Sequence, residues 1–203
     1  GSIVYKKYTV LLFYVNITEK TSFMDGIEIK NKYYGGKIMI KYPLYVTLDT
    51  NIFDANKLDF GKESTLGLLV NYVEAGKIKI VLSNIVIKEV EKHVIKSSDS
   101  ICSAFRELRK KALSIASEGL LEQVGIKLDA LFLNKIEYQE KCLGVWNKFL
   151  ESLKPEIMDL SLVDLKGIVD DYFEFNPPFE NSEKKRKEFP DAFIANQIRE
   201  RFG

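Results

Sequence analysis

The sequence predicts an α/β fold, and three features carry that prediction. Leu44–Leu48 is a short apolar run that breaks off in Asp49-Thr50-Asn51, as a buried parallel strand does where its C-terminal end delivers polar groups. From Ser64 onward, Leu66, Leu69, Val70 and Val73 recur at helical spacing, and Gly76 stands where a helix C-terminus favours a left-handed residue. Ile78, Ile80 and Leu82 then alternate as a strand, Ser83 is a suitable N-cap, and Ile85–Ile95 continues as a helix. Strand, helix, strand, helix is the unit of open α/β sheets, whose sites lie at the C-terminal ends of the strands.

The other elements follow in chain order. Residues 3–43 are rich in Tyr, Ile and Val. Tyr8–Val15 reads as a strand, and Ile27–Lys30 with Lys37–Lys41 alternate on either side of Tyr34-Gly35-Gly36 as a β-hairpin does. Beyond Ile95, Asp99 is expected to cap a long helix through Phe105, Leu108, Ala112 and Ile115 that stops near Gly119. A second helix is expected from about Leu128 to Leu153, ahead of Pro155, so that the two form a helical hairpin. A shorter helix over Leu162–Phe173 leads into Asn176-Pro177-Pro178 and a charged loop, Glu183–Glu188. Pro190 then opens the last helix, Asp191–Phe202.

Composition narrows the function classes. The 203 residues suffice for one domain with its own core, and 46% apolar with 29% charged content is that of a globular protein. The longest apolar run, Val10–Val15, is too short to cross a bilayer, so no membrane association is expected. Thirty Lys and Arg stand against 29 Asp and Glu, a net charge of +1, so a nucleic-acid site must come from local clustering. Cys102 and Cys142 lack CxxC spacing or a neighbouring His and read as free intracellular thiols, which sets a cytoplasmic expectation. With His93 as the single histidine, any metal must be held by oxygen.

Three carboxylates are placed by structure. Asp49 closes a buried strand; an Asx-turn or N-cap role would explain it as well. Glu89 falls in the first turns of the helix after the second strand, where a solvated helix face is the plainer explanation. Asp191 opens the final helix, where the helix dipole favours a carboxylate in any case. Lys184, Lys185, Arg186 and Lys187 form the one dense basic run, just before Asp191, suited either to a phosphate backbone or to a solvated loop. Arg106, Arg109, Lys110 and Lys111 form a weaker patch. His93 lies one helical turn past Glu89. Tyr33, Tyr34, Tyr42 and Tyr45, among Lys32, Lys37 and Lys41, favour cross-strand pairs or a dimer edge over base stacking.

Taken together, Leu48-Asp49-Thr50-Asn51-Ile52-Phe53, Val86-Ile87-Lys88-Glu89-Val90 and Lys184–Ile194, in that order, resemble a PIN domain. Glu89-Val90-Glu91-Lys92-His93, Pro177-Pro178-Phe179 and the Lys-rich stretch before Asp191-Ala192 are similar to the PIN-like branch of uncharacterised bacterial proteins. The resemblance covers about residues 44–203, so the chain divides into a β-rich segment, 3–43, and a PIN-like nuclease domain, 44–203.

The resemblance implies an α/β/α sandwich with a mostly parallel central sheet and the activity of a metal-dependent endoribonuclease, including toxins and defence effectors. It implies Asp49, Glu89 and Asp191 as the catalytic, metal-binding carboxylates, with Thr50 or Asn51 orienting the Asp49 carboxylate or a metal-bound water. Mg²⁺ or Mn²⁺ is the implied cofactor, and RNA, single-stranded or structured, the implied substrate. Lys184–Lys187 would bind the nucleic acid, and an antitoxin or other protein partner is a further association; a homodimer is expected from the aromatic-rich strand edge. The family also carries an acidic residue on a strand after the Asp191 helix. The sequence stops at Gly203 where that strand would begin, so the expectation is either that the domain lacks its last strand or that the carboxylate comes from elsewhere, with Asp164, Asp170 and Asp171 as candidates. Two other readings remain: a catalytically degenerate PIN module that binds RNA or a protein, and a flap-like DNA nuclease on the same scaffold.

Overall fold

The computed structural model describes residues 3–5, 8–12, 42–131, 134–179 and 188–202. The chain divides into two compact units, Gly1–Ile87 with Ser152–Gly203, and Lys88–Glu151. The first holds a sheet of strands β1 (Ile3–Tyr5), β2 (Tyr8–Leu12), β3 (Leu44–Thr47), β4 (Ile78–Ser83) and β5 (Glu156–Met158), which lie side by side in chain order. β1 is antiparallel to β2, and β2 through β5 are parallel. Around the sheet and in the second unit run α1 (Thr50–Ala55), α2 (Thr65–Glu74), α3 (Asn84–Ile115), α4 (Glu118–Gln123), α5 (Lys135–Leu153), α6 (Leu165–Glu174) and α7 (Phe189–Phe202). The fold is the α/β/α sandwich with a mostly parallel sheet that the sequence predicts.

Period-two alternation sorts the side chains of the parallel strands between two faces. Leu44, Val46, Ile78, Ile80 and Leu82 share one face and are all buried. α2 packs against β4, with Leu66 buried. Tyr45, Thr47, Lys79, Val81, Ser83, Glu156 and Met158 share the other face. There Val81 and Met158 form one cluster with Ile198 and Phe202 of α7. The start of α7 packs separately, Ala192 with Ile168 of α6 and Phe179, bordered by Phe189, Phe193 and Tyr172.

Local signals set several boundaries. Ser64 caps α2, its hydroxyl accepting from the Gly67 amide at 2.9 Å, and Gly76 beyond the helix has φ +65°. Ser83 accepts from the Ile85 amide at 3.0 Å as the helix leaves β4.

Other expectations are corrected. Asp99 caps no helix, because α3 runs unbroken from Asn84 to Ile115. Its carboxylate instead faces α5, where Lys135 lies 3.0 Å away and Gln139 donates a hydrogen bond. The second long helix begins at Lys135, preceded by a 3₁₀ turn at Leu128–Leu131. The helix expected over Leu162–Phe173 is a 3₁₀ turn, Leu160–Leu162, followed by α6, which Asp164 caps by accepting from the Gly167 amide at 3.1 Å. Strand β5 and helix α1 had no counterpart in the sequence reading. The expected hairpin of Ile27–Lys30 and Lys37–Lys41 lies outside the described residues, as do Tyr33 and Tyr34.

At the N-terminal ends of the strands, Glu156 is held by Arg201 of α7 and by Lys79 of β4, the latter at 2.9 Å. Lys79 and Arg201 also lie over the Tyr45 ring, 5.6 and 6.0 Å from its centroid. Tyr45 is therefore part of an intramolecular contact rather than a stacking platform. The Arg201 hydrogen bond, reinforced by Lys79 against the opposing effect of burial, holds the Glu156 carboxyl at about 2.

Two consequences are measurable. A Cβ on Gly67 would lie 2.0 Å from the Gly61 carbonyl oxygen, while one on Gly144 meets nothing within 4 Å. Gly67→Ala is expected to destabilise by about 2–3 kcal/mol through overpacking, and Gly144→Ala to stabilise by about 0.5–1 kcal/mol in the interior of α5, both read by chemical denaturation. Because the carboxyl of Glu156 is depressed from 4.5 to about 2, its contribution is complete above pH 4.5 and fades as pH falls toward 2. Glu156→Gln should therefore lose about 1 kcal/mol at pH 7, with the difference from the parent narrowing over that acid range in circular-dichroism melts.

Candidate active site

The direction of α7 follows from its contacts. Phe202 meets the Tyr45 ring edge-on at 5.5 Å, and Arg201 holds Glu156, both near the strand N-termini. One turn earlier Ile198 packs on Val81 and Met158. Gln197 reaches the far ends of the strands, its amide nitrogen donating to the Met158 carbonyl at 3.2 Å and to Asn84 Oδ1 at 3.3 Å. Helix α7 thus runs antiparallel to β3–β5, and its first half projects beyond their C-terminal edge. Asp191 stands six residues before Gln197, about 9 Å along the axis, on that projecting half.

Asp49 belongs to the same edge. It follows β3 in extended backbone, φ −92° and ψ 155°, at the N-cap position of α1, yet its side chain makes no capping bond. The carboxylate is turned instead to Asn51, whose side-chain amide donates to Oδ2 at 2.9 Å. Alternation from Tyr45 through Thr47 sets Asp49 on the side of the sheet that α7 covers. Thr50 opens α1 and is buried; Asn51 is exposed.

The other expected residues are placed as follows. Glu89 lies half-buried on the second turn of α3, in the second unit, with His93 half-buried one turn further on. Asp164 caps α6, Asp171 accepts from the Asn176 side chain at 3.2 Å, and Asp170 is exposed. Lys184, Lys185, Arg186 and Lys187 lie outside the described residues. In the weaker basic patch Lys110 pairs with Glu107 at 2.9 Å, and Arg109 is half-buried. Both cysteines are free thiols.

Among the described residues no group of three or more His, Cys, Asp or Glu side chains is gathered closely enough to hold a metal ion. The donors at the edge are carboxylate and amide oxygens, which suit a hard divalent cation held by one or two carboxylates that keeps several of its waters. They do not build the closed cage of a structural zinc site.

A set of buried amides has no counterpart among the residues expected from the sequence. Asn196 is 2% and Gln197 0% exposed. Asn196 Oδ1 accepts from the Asp164 amide at 2.9 Å and so ties α7 to α6. Asn196 Nδ2 and Gln197 Oε1 are buried with no hydrogen-bond partner among the described residues. The available signal was spacing, since Gln197 falls three residues after Ile194 and one before Ile198, within the arc of α7 that faces the sheet.

A parallel α/β sheet with an oxygen-rich C-terminal edge defines the class: an α/β protein whose site is built at its strand ends. A family model described as PIN domain matches residues 46–201, and the chain belongs to the PIN domain family, a nuclease-type family. Comparison with curated proteins and with solved structures gives no match. No helix among the described residues is long and apolar enough to cross a membrane.

The site geometry separates two aspartates by stability alone. Asp49→Asn should shift stability by less than about 0.5 kcal/mol because the carboxylate does not cap α1. Asp164→Ala should cost about 1 kcal/mol through loss of a working cap. Urea titration of both variants checks the contrast.

Proposed function

We propose that the chain is a metal-dependent endoribonuclease of the PIN type, with Asp49, Glu89 and Asp191 as the residues that hold Mg²⁺ or Mn²⁺. The observation that carries this reading is the Asp49 carboxylate, turned away from the helix amides it could cap and standing at the sheet edge beyond which the Asp191 end of α7 projects. Held by these carboxylates, such an ion would supply an activated water for attack on a phosphodiester and would offset charge on the phosphate.

The protein's own residues do the rest. Asn51 fixes the orientation of the Asp49 carboxylate through its side-chain amide, and Thr50, buried at the start of α1, fixes the backbone beside it. Lys184–Lys187, which precede Asp191 in the chain, draw the phosphate backbone toward the site in a salt-dependent, sequence-independent way. RNA, single-stranded or structured, is the proposed substrate. A toxin or defence role extends the reading and rests on the family resemblance.

A second reading has one observation in its favour. The described residues gather no three-carboxylate group, as befits a PIN module that binds RNA or a protein without cleaving it.

Cleavage assays on labelled RNA and DNA, with Mn²⁺, with Mg²⁺ and with EDTA, decide between them. The nuclease reading expects RNA cleavage that EDTA abolishes and that Asp49→Asn, Glu89→Gln and Asp191→Asn each eliminate with folding intact. Asn51→Ala should lower it about 10-fold. Preference for DNA would move the chain to the flap-like reading. Binding of RNA without cleavage under every metal condition would establish the degenerate module.

A further inference from the structure

Gln197 is fully buried at the point where three elements meet. Its side-chain nitrogen donates to Asn84 Oδ1, at the first residue of α3, and to the Met158 carbonyl at the end of β5, at 3.3 and 3.2 Å. Its Oε1 is buried with no hydrogen-bond partner among the described residues. A buried amide with an unmatched oxygen costs stability that an apolar side chain of the same size would not, so hydrogen bonding alone gives little reason for a glutamine here. The rest of this contact is apolar, Ile198 and Phe202 against Val81 and Met158, and Ile194 beside them. Apolar packing of this kind seats a helix but tolerates sliding and rotation of a fraction of an ångström. Two directional hydrogen bonds to the ends of two adjacent strands do not.

We infer that Gln197 is a positioning residue, which through Asn84 and Met158 fixes the rotation and height of α7 at the sheet edge and so sets Asp191 relative to Asp49. The inference rests on the nuclease reading above. A carboxylate pair that holds a small hard cation must be set to within about half an ångström, and the amide clamp lies six residues, less than two turns of α7, from Asp191. Asn84 is the matching half of the device, half-buried and first in the helix that leaves β4.

The test uses the full chain and two partners. Gln197→Met keeps volume and burial and removes both hydrogen bonds. It should melt within a few degrees of the parent, while kcat for RNA cleavage falls about 10-fold or more, KM stays within about 2-fold, and Mn²⁺ affinity by titration calorimetry weakens. Asn84→Ala, on the more exposed side of the bond, should reproduce the kcat and Mn²⁺ losses, and Asn84→Asp, which keeps an acceptor oxygen, should restore most of them. In a double-mutant cycle the combined variant should lose no more than Gln197→Met alone, since that change already removes the one contact that Asn84→Ala removes. If folded Gln197→Met or Asn84→Ala cleaves with the parent kcat and binds Mn²⁺ as the parent does, the inference is overturned while the nuclease reading stands. If the parent itself neither cleaves nor binds Mn²⁺, both are overturned together.

Discussion

Helix α7 reaches the sheet through Ile198 and Phe202 on Val81 and Met158, through Arg201 on Glu156, and through Gln197 on the ends of β4 and β5. The position of Asp191 depends on where those contacts leave the helix. The apolar contact supplies most of the driving force, since burying side chains of this size is worth roughly 1.5–3 kcal/mol each. The ion pair and the amide hydrogen bonds supply direction, at opposite ends of the strands. Because the helix runs against the strands, its first turns lie beyond Gln197 at the C-terminal ends of β4 and β5, where Ala192 packs with Ile168 and Phe179.

A chain of net charge +1 would meet a polyanionic substrate through local clusters of charge rather than through its total. The four consecutive cations Lys184–Lys187 fall in the sequence between Phe179 and Phe189, whose rings lie 4.9 Å apart. Nucleic-acid affinity depends on such local density rather than on total charge.

What could be read from the sequence was whatever local chemistry decides. β3, β4 and α2 carry complete signals, with alternating apolar residues, the Ser64 cap and a left-handed Gly76, and the structure places them within a residue or two of expectation. Where distant residues decide, the sequence misleads. Asp99 looks like a helix start because an aspartate is a good cap, but Lys135 and Gln139, some 40 positions away, satisfy its carboxylate and α3 continues through it. β5 is three residues of Glu-Ile-Met after Pro155, too short for alternation to register, and it exists because β4 offers an unpaired edge. At the site, Asp49 was found because an apolar run stops at it. Asn196 and Gln197 were passed over because polar residues in a helix are ordinarily assigned to its solvent face, and only the packing of α7 shows that these two point inward.

The central proposal is that Asp191, at the start of α7, and Asp49, after β3, would hold one metal ion. A crystal structure of the protein grown with Mn²⁺, phased or checked by anomalous scattering, tests it most directly. The account predicts a single strong anomalous peak with oxygens of both Asp49 and Asp191 about 2 Å away. A peak on neither residue, or on only one of them with the other turned to solvent, would contradict it.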